Sequence, residues 1–334
     1  MQHAHDADVP RRWLGLVAGL LLLVSVLCAP VNGEKTAKQI LDRADIKGGL
    51  IVHIGCGDGN VTAALHASES CIVQGLGEDV TAARQTIQAL GLYGRVTAEP
   101  WTGERLPYVD NLVNLIVADR LGELPMQEVL RVLAPGGVAL IGGEKIVKPR
   151  PKEMDEWQQH YHNADNNAVA RDKLVGPPRH FQWISGPKFS RSHDHLASVS
   201  AVVSSGGRLF SIVDEGPIAS LVPPPEWKLV ARDAFSGVLL WKQPMSEWQP
   251  EHGTGLGNRW NIHHTIPRRL VADGDRVYVT LQFRDSPVSV LDAATGNELC
   301  RLLRRDGTVD FVIAQPEGVF YTWDVFTPDG HFVE

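Results

Sequence analysis

The hydrophobic period of the chain changes near residue 196, and that change fixes what the chain can fold into. Residues 36–145 alternate short apolar runs with segments of helical spacing. The strand-like runs are GGLIVHIG, CIVQGLG, RVTAEP, NLVNLIVADR and VALIGG. Between them DGNVTAALHAS, DVTAARQTIQALGL and MQEVLRVLAPGG read as helices, the last closed by Pro135 and the glycines after it. Strands alternating with helices predict a doubly wound, parallel α/β sheet, here of five strands. From residue 196 the period becomes two, with turns every few residues, which predicts an all-β unit. Residues 148–195 lie between, rich in Pro, Trp and His. They read as a linker that packs, because Trp157 and Trp183 suit a buried setting better than a free tether.

The all-β unit repeats. The turn at Gly207 returns at Asp275 and again at Glu317, and the longer first interval holds residues 246–264 as an insertion. Units of about 40–45 residues with four strands each are the mark of propeller blades. One segment recurs inside them, ARDAFSGVLLW at 231–241 and VLDAATGNELC at 290–300. It resembles the A-x-D-x-x-T-G-x-x-x-W repeat of PQQ-type, quinoprotein-like β-propellers, with Ser236 for Thr in the first copy and Val290 and Cys300 departing in the second. Asp with Thr or Ser caps a tight hairpin, Gly supplies a positive φ, and Trp wedges between sheets. The motif therefore marks a fold, and quinone binding does not follow from it. A closed propeller needs about four blades or more. Two blades and the start of a third predict either a fragment of a longer propeller, the favoured reading, or blades completed by association. PQQ is not expected in so incomplete a ring.

In the first unit, Gly55, Gly57 and Gly59 follow a strand and precede a helix in GCGDGN. Such a loop lets backbone approach a ligand closely. With the acidic pair Glu78 and Asp79 after the second strand, and RVLAPGG before the fifth, residues 36–145 resemble a class I S-adenosylmethionine methyltransferase. The resemblance implies that Gly55, Gly57, Asp58, Gly59, Glu78, Asp79 and Asn114 hold S-adenosylmethionine, with a methyl acceptor near residues 114–119. Two positions depart from the family. Gly77 stands where an acidic residue would meet the ribose, and Asn114 stands where the fourth strand often starts with an acid. The usual terminal antiparallel pair of strands is not evident either. No catalytic residue is identified.

The N-terminus reads as an export signal. Arg11 and Arg12 precede an apolar run from Trp13 to Leu27, and Val31, Asn32 and Gly33 suit cleavage before Glu34. Residues 1–33 are thus a signal peptide of an exported, periplasmic or extracellular bacterial protein, or residues 13–29 anchor it in a membrane. Export would take the chain away from a cytoplasmic cofactor. Either the fold is kept as a scaffold, or an anchor leaves the domain inside.

The net charge of −7 gives no basic surface for nucleic acid, so membrane contact is expected only through the N-terminal segment. Four cysteines lack CxxC spacing. Free buried thiols are expected, with a Cys56–Cys71 bridge as the alternative. Histidines pair at 160/162, 193/195 and 263/264 without a zinc spacing, and no metal is expected. Asp155, Glu156 and Trp157 form one acidic cluster, poor ground for hydrolysis. Three functions compete: a methyltransferase, a non-enzymatic module binding a protein or small molecule on its propeller face, and a quinoprotein oxidoreductase that would need more blades.

Overall fold

The first strand, β1 (Gly49–Ile54), is an apolar β-branched run whose alternate side chains enter two different cores. The computed structural model describes residues 31–176, 180–188, 198–217, 225–246, 248, 267–282 and 286–302, and the backbone of short strands within 312–333. Beside β1 lie β2 (Cys71–Gly77), β3 (Val96–Pro100), β4 (Val113–Ala118), β5 (Leu133–Ile141) and β6 (Glu144–Val147). The order across the sheet is β3-β2-β1-β4-β5-β6. The first five strands are parallel, and β6 returns antiparallel along β5. This is a Rossmann-like doubly wound sheet.

Helices α1 (Val31–Ala44), α2 (Asn60–Ala64) and α3 (Thr81–Ala89) share one core with Ile51, Val73 and Leu115. Helix α4 (Met126–Val132) covers the other face with Val52, Leu76 and Ile116. The period-3.6 placement of Ala83 and Ile87 on α3 buries both completely.

Three features differ from the sequence reading. A sixth strand, β6, continues the sheet beyond the expected five; its residues are mostly exposed and half of them charged, so it carries no apolar run. Helix α4 does not run on to Pro135: β5 begins at Leu133, and its register against β4 shifts between Val113 and Leu115. Pro135 and the glycines fall within that irregularity, where a missing N–H breaks no ladder bond. Helix α1 was not foreseen. It spans the expected cleavage point before Glu34, and its buried Gly33 lies so close to Asn60 that a Cβ there would stand 3.3 Å from the Asn60 backbone.

The second half forms three antiparallel meanders. The first comprises β7 (Val199–Ser205), β8 (Arg208–Asp214), β9 (Trp227–Asp233) and β10 (Leu239–Pro244). The second comprises β11 (Leu270–Asp273), β12 (Arg276–Thr280), β13 (Val288–Asp292) and β14 (Glu298–Leu302). The third comprises β15 (Val312–Gln315), β16 (Gly318–Tyr321), β17 (Val325–Phe326) and β18 (Phe332–Val333). The leading strands β7, β11 and β15 are neighbours. Phe210, Ile212, Leu229, Val277, Val279 and Leu291 bury one continuous core between the first two sheets.

The recurrent hairpins are built alike. Asp233 Oδ1 accepts from the Ser236 N–H at 2.6 Å and the Ser236 hydroxyl at 2.7 Å; Asp292 Oδ1 accepts from the Thr295 N–H at 2.8 Å and its hydroxyl at 2.7 Å. The Gly237 and Gly296 N–H groups close each turn on the Asp233 and Asp292 carbonyls. Residues 1–30, 189–197 and 249–266 lie outside the described residues, and with them the export segment, His193, His195, His263 and His264.

Candidate functional site

The chain order reverses between β1 and β4, and in open sheets of this kind ligands bind at such a switch point, in the crevice beyond the C-terminal ends of the strands. The loop after Ile54 borders it. Gly55 and Gly57 have φ of 80° and 52°, the left-handed region that favours glycine. A Cβ built on Gly55 would meet nothing within 4 Å, and one on Gly57 only the Gly55 carbonyl at 4.0 Å. Both therefore expose bare backbone to open space. Gly59 serves packing instead, since a Cβ there would lie 2.7 Å from the Ala83 Cα of α3. The loop is pinned by the Gly55 and Cys56 N–H groups, which donate to the Leu76 carbonyl at 2.8 and 3.1 Å.

Cys56 turns away from the crevice. It is buried against β2, its Sγ 3.3 Å from where a Gly77 Cβ would stand. Burial pushes the thiols of Cys56 and Cys71 up, so both are poor nucleophiles. Both are free cysteines.

The acidic residues have distinct roles. Asp58 is exposed, and its carboxylate accepts from the Asn60 N–H at 3.0 Å and the Asn60 amide at 2.7 Å, fixing the turn into α2. Asp79 Oδ1 accepts from the Thr81 N–H at 2.9 Å and fixes the turn into α3, whose N-cap is Val80; that hydrogen bond holds its carboxyl below the usual range. Glu78 is exposed and makes no hydrogen bond or ion pair among the described residues. Gly77 ends β2, so these two acids follow the strand instead of closing it.

Asn114 does not join this group. It lies at the start of β4, paired beyond β1 near Leu50, whereas the crevice is at the Ala118 end. Four residues of strand separate the two, roughly 13 Å at strand rise. Asn114 Oδ1 accepts from the Leu50 N–H at 2.8 Å, and its amide donates to Asp233 Oδ2 at 2.7 Å. The expectation of a cofactor contact at Asn114 is corrected on this geometry: the side chain joins the parallel sheet to the first meander.

One polar residue beneath α2, close to the glycine loop, was missed. His53, on β1 two residues before Gly55, shares a 2.8 Å hydrogen bond between Nδ1 and the Thr62 hydroxyl of α2. Burial lowers its pKa, opposed by the charge of Asp119 at the end of β4. A histidine within GLIVHI was the available signal, because a polar residue in an apolar strand needs a partner.

The acidic cluster at 155–157 is placed at the junction of the meanders. The Ser204 N–H donates to the Trp157 carbonyl at 2.7 Å, and the Ala272 N–H to that of Gln158 at 2.9 Å, so this strap ties β7 to β11. His162, almost wholly buried, pairs Nε2 with Asp155 Oδ2 at 2.8 Å, and Trp157 packs edge-on against its ring. Gln158 donates to Asp273 at 2.7 Å, whose carboxyl is pushed up by burial and by the charge of Glu156. Among the described residues no group of three or more His, Cys, Asp or Glu is arranged to hold a metal ion.

No protein-family profile matches the sequence, and no curated protein does. Solved structures similar to part of the chain include the [4+2]-cyclase SpnF, at 24% identity over 32% of this chain and 43% of that one, with a TM-score of 0.30. Others are the YcgJ protein of Bacillus subtilis, at 24% identity over 32% and 49%, TM-score 0.28, and the geranyl diphosphate C-methyltransferase of Streptomyces coelicolor, at 18% over 32% and 44%, TM-score 0.30. The chain spans less than half the length of each of these three.

Proposed function

We propose that the Rossmann-like unit binds S-adenosylmethionine at the C-terminal ends of β1, β2 and β4, as a methyltransferase-like domain joined to a PQQ-like β-propeller module. The observation that carries this reading is the open space over Gly55 and Gly57 at the switch point, where any side chain of the protein would fill the place of a ligand. Gly55 and Gly57 would take the adenosyl group on that bare backbone, and Glu78, free of other partners among the described residues, would accept from the ribose hydroxyls at the end of β2. Asp58 and Asp79 shape the loop and α3, and act on the ligand through that shape. When bound, the cofactor supplies an electrophilic methyl group. The chain's own part is to hold it in line with an acceptor near Asp119, with proximity giving most of the rate gain. The propeller reading draws on the three meanders with adjacent leading strands and on their twin hairpins.

Titration calorimetry with S-adenosylhomocysteine tests the reading. Saturable heat is expected, and Gly57→Arg is expected to abolish it while the far-ultraviolet dichroism stays unchanged. Absence of heat from the unaltered protein at high micromolar ligand removes the cofactor.

A second reading is a non-enzymatic scaffold, in which the meanders bind a protein or small molecule. It is favoured by one observation: of the two acids that follow β2, Asp79 already accepts a hydrogen bond from the Thr81 N–H. Export through residues 1–33, to the periplasm or the exterior, belongs with this reading, since the cofactor is made in the cytoplasm. Among the described residues no helix is long and apolar enough to cross a membrane.

A further inference from the structure

The seam between the parallel sheet and the meanders leaves a partly open cavity of about 190 Å³. It lies beside Gly48 and Asn114, at the N-terminal ends of β1 and β4, so it is at the other end of the sheet from Gly55 and Gly57. At ~30 Å³ of liquid for each water, it has room for about six, which suits a ligand of a few heavy atoms. Lys47, Asn114 and Gly136 stand on the sheet side, and Arg208, Phe235 and Leu240 on the side of the first meander. Around the cavity the two units meet closely. A Cβ on Gly48 would stand 2.9 Å from Leu240, and one on Gly207 3.3 Å from the Phe235 ring. The space is therefore a formed gap in a packed seam.

The charges on its walls are unequally engaged. Asp233 is saturated: its two oxygens accept from the Phe235 N–H at 3.1 Å, from the Ser236 N–H and hydroxyl, and from the Asn114 amide. Lys47 and Asp45 pair with each other at 2.9 Å, both mostly exposed, and so offset one another at the rim. Arg208 is different. Its side chain is only 22% exposed, yet its one side-chain partner among the described residues is Asp275 at 3.2 Å, a carboxylate 88% exposed to water. A pair so exposed on one side contributes little and is readily exchanged. Most of the guanidinium donors thus face the cavity without a protein acceptor.

A guanidinium is planar and forked, and it matches a carboxylate through two parallel hydrogen bonds. Phe235 and Leu240 give apolar wall on the same side of the seam. Gly136, with φ of 83° and nothing within 4 Å of a Cβ, leaves bare backbone on the sheet side. We propose that this cavity binds a small organic carboxylate with a short apolar tail, its carboxylate on Arg208 and its tail against Phe235 and Leu240. The bound molecule touches both walls and so links the parallel sheet to the meanders. Its binding does not depend on S-adenosylmethionine at the glycine loop.

The test uses 3-methylbutanoate as the probe, followed by saturation-transfer nuclear magnetic resonance at low ionic strength up to tens of millimolar. Saturable binding is expected, and none of the uncharged 3-methylbutanamide. Arg208→Met should weaken binding by about tenfold or more with unchanged dichroism, and Arg208→Lys, which keeps the charge without the fork, should restore only part of it. Asp275→Asn should tighten binding, because it removes the competitor for the guanidinium at a position too exposed to disturb the fold. That variant decides the matter even if Arg208→Met fails to fold. No saturation in the unaltered protein, equal affinity in folded Arg208→Met, or unchanged or weaker binding in Asp275→Asn overturns the proposal. Binding of inorganic phosphate as tight as that of 3-methylbutanoate, or binding of the amide, overturns it too.

Discussion

His53 shows how one side chain can set the pH response of the molecule. Its imidazole is tied to Thr62 and largely shielded from water, so burial holds its pKa below the ordinary value, with Asp119 the charge that opposes the shift. The unfolded chain takes up its proton near pH 6.5, at the ordinary histidine value, while the folded chain resists until lower pH. Across that window the unfolded state binds more protons, so stability rises with pH and falls as pH drops below about 6.5. Melting temperature is expected to fall between pH 7.5 and pH 5.5, and His53→Gln, which can keep a hydrogen bond to Thr62, should flatten part of that fall. An equal slope in the variant would show that the burden lies elsewhere. The cysteines give a second residue-level expectation. Cys56 and Cys71 are buried with raised pKa, while Cys300 is half-exposed. Time-resolved labelling of the native protein with a thiol reagent, read by peptide mass, should modify Cys300 before Cys56 and Cys71, which stay unlabelled until unfolding.

At the scale of elements, the hairpin and the tryptophan that covers it act as one device. Trp241→Ala removes an indole from the seam between two sheets and leaves the Ala293 carbonyl without its donor, for a cost of about 3 kcal/mol. Gly296→Ala places a methyl group into the same indole at a positive φ, for about 2 kcal/mol or more. Urea titration should show both losses, and the double variant should lose less than their sum, since each change removes the same contact. The eight strands of the first two meanders and the start of the third were legible because period-two alternation and the Asp-x-x-Ser/Thr-Gly turn are local signals, whereas β17 and β18, two residues each, were not read. The partner of the turn was not legible: Trp183 lies outside the repeat, and only the fold reveals that it repeats the contact of Trp241. The same division holds in the parallel sheet. The glycine loop and the strands around it announce themselves by composition. Asn114 was assigned to the site because it stands where the resemblance puts an acid at the start of the fourth strand, yet the start of a parallel strand lies at the opposite end of the sheet from the switch point. Asp79 looked like a ligand contact because a tight turn and a bound ligand ask for the same residue type. Strand β6 went unseen since an exposed, charged edge strand has no apolar pattern to betray it.

At the scale of the whole molecule, the question is whether the parallel sheet and the meanders behave as one body. The seam between them is polar and specific. Asn114 bridges the Leu50 N–H and Asp233, Leu240 of β10 would lie 2.9 Å from a Cβ on Gly48, and Gly49 has no room for a side chain beneath Asn114. Arg150 pairs with Glu156 at 2.8 Å, and Lys148 donates to Asn111 and to the Leu133 carbonyl at 2.6 and 2.7 Å, fixing the chain as it leaves β6. Seams of this kind let domains move unless their polar groups are matched, and Asn114 matches one on each side. Calorimetry should therefore show one unfolding transition. Asn114→Ala strips two partners at once, the Leu50 N–H and an Asp233 oxygen, at about 1–3 kcal/mol for each group left unsatisfied. The variant should then melt in two steps. If the crevice holds S-adenosylhomocysteine, the ligand raises the single transition of the unaltered protein and only one of the two steps in the variant, because binding stabilises only the body that contains the site. Two transitions in the unaltered protein, or a ligand shift shared by both steps of the variant, would deny that Asn114 is what transmits stability from the crevice sheet to the meanders.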